Sequence, residues 1–118
     1  MNAETLIAKM RRAREFQAEA LGHRFTLRIP TDGELQDFAE TLGGQRLTYR
    51  RIVGRFTVGW DLTALDLVPG GDPSPVEFDG DLFREWLGDH TDAVEPLFKQ
   101  LTEAMDRRRA SLEDAEKN

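Results

Sequence analysis

The sequence predicts a helix-dominated α+β fold, with four or five short helices and one N-terminal β-hairpin, joined by an ordered proline-rich loop. Three observations lead there. Apolar residues recur at i, i+3, i+4 and i+7 in separate stretches, the pattern of helices that bury one face. The run Phe25, Leu27, Ile29 alternates with Arg24, Thr26 and Arg28, the period of a strand with one apolar side. The segment 69–75 places three prolines and two glycines within seven residues, which forbids continuous helix and makes it an extended loop.

Asn2 opens the first helix as its cap, with Glu4 in the first turn. Leu6, Ile7, Met10 and Ala13 lie on one side, with Lys9, Arg11 and Arg12 on the other. Phe16, Ala18 and Ala20 then alternate with Glu15, Gln17 and Glu19, and the turn at Leu21-Gly22 leads into the strand through Phe25. The rival is one helix from Ala3 to Leu21 ended by Gly22, since Ala and Glu favour helix. The hairpin is preferred because the second strand is the clearest in the chain and needs a partner.

Pro30 stops that strand. Thr31-Asp32-Gly33-Glu34 is a capping box, followed by Leu35, Phe38, Ala39 and Leu42 at helical spacing and by the stop Gly43-Gly44. Tyr49, Ile52, Val53, Phe56 and Trp60 form another helical stripe with Arg46, Arg50, Arg51 and Arg55 outside it; Gly54 and the β-branched Thr57-Val58 weaken its end. The loop that follows keeps Leu62, Leu65, Leu67, Val68 and Val76, too apolar for a free linker, so it packs over the core. Asp79 caps the next helix, with the stripe Leu82, Phe83, Trp86, Leu87 and the stop Gly88. A last helix begins near Thr91-Asp92, with Ala93, Val94, Leu97, Phe98, Leu101 and Met105 on one face and Pro96 within its first turn. Residues 1–106 read as a single globular domain and 107–118 as a charged, solvent-exposed, fraying helical tail.

At 118 residues the chain suits one domain. Its charge is unevenly placed: residues 1–60 carry a net +3, and residues 61–118 a net −9. Between Asp61 and Asp106 only Arg84 and Lys99 oppose twelve acids, a polarity that can orient a partner or a second copy of the chain. The absence of cysteine excludes disulfides, thiolate metal sites and a Cys nucleophile, and two histidines are too few for a multi-histidine centre. Ser74 and Ser111 adjoin no histidine in sequence, and His23 and His90 fall in turns as ordinary exposed residues. Gly70-Gly71-Asp72-Pro73 lacks the Lys-Ser/Thr of a phosphate loop, and Asp79 and Asp81 serve a helix start better than a calcium loop. Nothing makes a positive case for an enzyme, a metal or a cofactor. With no membrane-length apolar run and a charged N-terminal segment, the expected location is the cytoplasm.

Two stretches carry a resemblance. Arg24-Phe25-Thr26-Leu27-Arg28-Ile29-Pro30-Thr31-Asp32 is one. The other runs Val58-Gly59-Trp60-Asp61-Leu62-Thr63, Asp66-Leu67-Val68-Pro69-Gly70-Gly71, Pro75-Val76-Glu77-Phe78-Asp79 and Leu82-Phe83-Arg84-Glu85-Trp86-Leu87. Together they resemble the tail assembly chaperones of long-tailed bacteriophages and prophages, with the likeness spanning about residues 6–105. That resemblance implies a small, mainly helical, non-enzymatic protein of the host bacterial cytoplasm. Such a protein binds the tape measure protein and keeps it soluble while tail tube subunits assemble around it; the tail tube protein itself and self-association are further possible contacts. Members of the family are often made in two lengths by ribosomal frameshifting, and Glu116-Lys117-Asn118 can be encoded by a slippery run.

The partner-binding surface expected from the sequence is the C-terminal helix pair around Phe83, Trp86, Leu97, Phe98, Leu101 and Met105, with Arg107, Arg108 and Arg109 engaging acidic partner segments. The same apolar residues would equally serve as core. Two other functions compete: a nucleic-acid-binding regulator using the basic clusters 9–14 and 46–55, opposed by the net −6, and a structural joining or terminator subunit of the tail.

Overall fold

The computed structural model describes residues 1–117. Helix α1 spans Ala3–Arg12, strands β1 and β2 span Glu15–Ala20 and His23–Arg28, and α2 spans Asp32–Thr41. Helix α3 (Tyr49–Phe56) leads directly into strand β3 (Thr57–Trp60). A single-turn helix α4 (Ala64–Leu67), then α5 (Gly80–Asp89), a 3₁₀ turn at Thr91–Ala93 and the long α6 (Val94–Lys117) complete the chain. The fold is therefore α+β and helix-dominated. Asn118, the end of the tripeptide considered for frameshifting, lies outside the described residues.

The hairpin forms as its alternation requires. Phe16 pairs with Leu27, Ala18 with Phe25 and Ala20 with His23, so Ala18, Ala20, Phe25 and Leu27 share the buried face. A two-residue loop joins the strands with both Leu21 (φ 53°) and Gly22 (φ 76°) left-handed, the turn whose twist matches a hairpin. Gly22 takes that conformation freely, whereas Leu21 holds it against the contact of its Cβ with the backbone. On the outer edge of β1, the Glu19 peptide is bonded by Gln100 of α6: the Glu19 N–H donates to Oε1 at 3.0 Å and Nε2 donates to the Glu19 carbonyl at 2.8 Å.

The helical stripe expected to reach Trp60 stops at Phe56. Residues 57–60 instead add a third antiparallel strand to the open edge of β2, with Phe25 opposite Trp60 and a register shift between Thr26 and Leu27. β-Branched Thr57 and Val58 suit a strand, and β2 offers unpaired backbone groups beside them, so the tertiary partner overrides the helical spacing. The following loop is also more ordered than an extended segment. Thr63 donates to Asp66 from its N–H (2.8 Å) and hydroxyl (2.9 Å), starting α4, and a bridge pairs Thr63 with Pro75. Gly71 is required there, since a Cβ on it would sit 2.4 Å from the Ala64 carbonyl oxygen.

The core lies between the sheet and the helices α3, α5 and the first half of α6. Phe83 is its centre, with rings of Phe25 (5.8 Å), Phe78 (6.0 Å), Trp86 (6.1 Å) and Trp60 (6.2 Å) around it, and Leu62, Leu87, Leu97 and Leu101 fully enclosed nearby. The Trp60 indole N–H donates to the Val76 carbonyl at 2.8 Å, which ties the 61–77 loop onto that core. Gly54 lets α5 come close: the Arg84 Cγ lies 3.3 Å from where its Cβ would be.

Candidate functional site

Helix α6 changes character along its length. Up to Ala104 it presents Leu97, Leu101 and Ala104 to α3 and β1 and is closed into the core. From Met105 on it runs past the base of the hairpin and carries Arg107, Arg108, Arg109 and Leu112. There it forms a cleft of about 400 Å³ with Ile29, Pro30 and the start of α2. An adjoining cleft on the same helix is lined by Ala13, Phe16, Ile29, Arg107, Arg108 and Leu112. Ile29, Arg108 and Leu112 are common to both, so the two form one groove lined by apolar side chains and by Arg107, Arg108 and Arg109, with Asp32 as its acidic residue.

Ala13 connects this groove to α1. Leu6, Met10 and Ala13 are spaced i, i+4, i+7 and so form one stripe of the helix, with Ile7 beside it. Asn2 caps α1 by accepting from the Thr5 N–H at 2.8 Å, as its sequence predicts, yet the helix buries no residue at all. Leu6 is 47 % exposed, Ile7 46 % and Met10 65 %, which makes α1 an amphipathic helix whose apolar side is left partly open to solvent. Lys9 and Arg11 flank it and Arg12 lies opposite, and among the described residues they and Arg107 and Arg108 form no salt bridge; Arg109 reaches Asp106 at 3.7 Å.

The root of this surface is fixed by a charge cluster. Glu34, already the reciprocal member of the Thr31 capping box, also takes Arg14 from the end of α1 and Arg28 (2.7 Å) from β2. Arg14 further donates to the Ile29 carbonyl at 2.9 Å. Burial by itself would raise the Glu34 pKa. Hydrogen bonds from Arg14 and the Thr31 backbone, and the charge and hydrogen bond of Arg28, outweigh it and hold the carboxyl at about 2. This cluster ties the end of α1 and the start of α2 to the hairpin, and neither helix has a fully buried residue of its own.

The nine residues expected to bind a partner are therefore divided. Phe83, Trp86, Leu97 and Leu101 are interior, and their place in a docking surface is corrected: a stripe spaced for a helix face packs inward wherever the fold supplies a facing layer. Phe98 is half-buried and stacks on Tyr49 at 4.0 Å beside a separate cleft with Val94 and Thr102. Met105, Arg107, Arg108 and Arg109 do come together, in the groove. Sequence reasoning missed Ala13, Phe16, Ile29 and Leu112 as its partners. The available signal was the seven-residue spacing of Met105 and Leu112, which puts both on one side of α6.

The histidines are not the ordinary exposed residues expected. His90 stacks on Trp86 at 4.4 Å and its Nδ1 is 2.8 Å from the Trp86 carbonyl, while His23 meets the edge of the same indole at 6.4 Å. His23 Nδ1 faces Asp61 at 3.5 Å and Nε2 faces Asp66 at 3.8 Å. Hydrogen bonds from the Thr63 backbone and hydroxyl hold the Asp66 carboxyl below its usual range. The two carboxylates thus address opposite nitrogens of one ring and do not converge on a point, and among the described residues no group of three or more His, Asp or Glu would hold a metal ion. No helix among them is long and apolar enough to cross a membrane. Compared with protein-family models, curated proteins and solved structures, the chain matches none.

Proposed function

We propose that this protein is a tail assembly chaperone of a long-tailed phage or prophage, acting by binding the tape measure protein and keeping it soluble in the host cytoplasm. The observation that carries the reading is the part-exposed apolar side of α1, whose stripe ends at Ala13 in the arginine-lined groove along α6. A folded chain gains nothing by leaving Leu6, Ile7 and Met10 in water unless another molecule covers them. The resemblance of residues 24–32 and 58–87 to that family lends its support.

Co-expression tests the reading directly. The chain should raise the soluble fraction of a tape measure protein encoded beside it and co-purify with it, and should be missing from finished virions. Unchanged tape measure solubility overturns the chaperone, and retention in the virion makes the protein a joining or terminator subunit instead. A salt-sensitive gel shift with generic DNA or RNA would move the function to nucleic-acid binding.

A further inference from the structure

We propose that α1 and the α6 groove form one docking strip whose occupant is an acidic amphipathic helix of the partner protein. The assignment rests on the chaperone reading for who the partner is, and on charge and shape for what its binding segment looks like.

The charge of the occupant follows from the rim. Lys9 and Arg11 border the apolar side of α1, and Arg107 and Arg108 border the groove. Among the described residues none of these four has an ion-pair partner, although the chain as a whole is net −6. Unpaired cations gathered around an apolar floor favour a ligand whose own apolar stripe is flanked by carboxylates, and they raise its association rate. An anionic membrane is the poorer fit: a ten-residue helix spans only about 15 Å, and the acidic half of the chain would be repelled by the same surface.

The shape of the occupant follows from the backbone. An extended segment would bind by adding to an open sheet edge, and on the outer edge of β1 the Glu19 peptide is already bonded in both directions by Gln100. The open apolar surface is a helix face and a groove, which suits an incoming helix. Anchors spaced i, i+3, i+4 and i+7 on an incoming helix can meet Leu6, Ile7 and Met10 on one side and Phe16, Ile29 and Leu112 on the other.

The test uses the full chain and two synthetic helical peptides of about 20 residues, identical in a leucine stripe and flanked either by Glu or by Lys. The Glu peptide should bind at least about tenfold more tightly than its Lys counterpart, with the advantage shrinking as salt rises. Leu6→Ser with Ile7→Ser should weaken it by about tenfold or more while the circular dichroism spectrum and melting profile stay those of the parent. Arg107→Gln with Arg108→Gln should reduce the salt dependence. Equal binding of both peptides, or full binding by the Leu6→Ser/Ile7→Ser chain, overturns the proposal. Sedimentation showing a concentration-dependent oligomer that the same double substitution dissolves also overturns it, since a second copy then covers the strip. Binding of the Glu peptide without tape measure rescue removes the chaperone reading and leaves the strip. Rescue that survives Leu6→Ser/Ile7→Ser does the reverse.

Discussion

The helices α1 and α5 are the same length and both amphipathic, yet one buries nothing and the other supplies the centre of the core. Phe83 and Trp86 of α5 face a sheet and two further helices. Leu6, Ile7 and Met10 of α1 face solvent. Amphipathicity thus identifies a face that prefers to be covered, and the fold decides whether the cover comes from within. Helix α2 lies between these extremes, holding on through Glu34 and the edge contact of Phe38 with Phe56 at 6.1 Å, with no buried residue of its own.

The contrast can be broken most strongly at the core. Phe83→Ala removes a fully enclosed ring that touches four others, and should lower unfolding stability by about 3–5 kcal/mol in a urea titration. A loss near zero would mean the interior is not where the stability resides. Glu34→Gln comes next: it strands Arg14 and Arg28, both largely enclosed, and should cost on the order of 2–3 kcal/mol.

The pH dependence carries the same sign. The Glu34 carboxyl has a pKa of about 2 when folded against an ordinary 4.5, so its contribution is whole above pH 4.5, fades as the pH falls toward 2, and is lost below it. Acid titrations of the parent and Glu34→Gln chains should therefore converge below pH 2 and separate above 4.5. Parallel curves would show that the cluster adds nothing.

A smaller effect of opposite sign is expected at the hairpin. Leu21→Asn places a residue tolerant of left-handed backbone at φ 53° and should stabilise by about 0.5–1 kcal/mol, measured by thermal melting. The smallest belongs to α1: Leu6→Ser with Ile7→Ser should shift stability by no more than about 0.5 kcal/mol, because both side chains are nearly half exposed and α1 adds no residue to the core. A loss as large as that at Phe83 would make α1 part of the folding core and remove the distinction.

Much of the local structure was legible in the chain. Asn2, Thr31 and Asp79 cap their helices as their side chains dictate, and the alternation around Leu21-Gly22 settles into the hairpin rather than one long helix. The third strand was not legible, since Tyr49 to Trp60 carries a helical stripe and only the open edge of β2 pulls Thr57 and Val58 away from it. The site was half legible. Met105 and Arg107 to Arg109 do line one groove, but Phe83, Trp86, Leu97 and Leu101, expected beside them, are interior, and the apolar residues that accompany them are Leu112 of the same helix and Ala13, Phe16 and Ile29 from the first quarter of the chain.

By itself the sequence determined caps, turns, periodicity and the segregation of charge, because each depends on neighbours within about one or two helical turns. Only the tertiary structure decided which apolar faces meet. The stripes of α1 and α5 are equivalent until a facing layer exists, and burial is a property of the pair of surfaces rather than of either one. That is why Phe83 closes into the core while Leu6 waits at the surface.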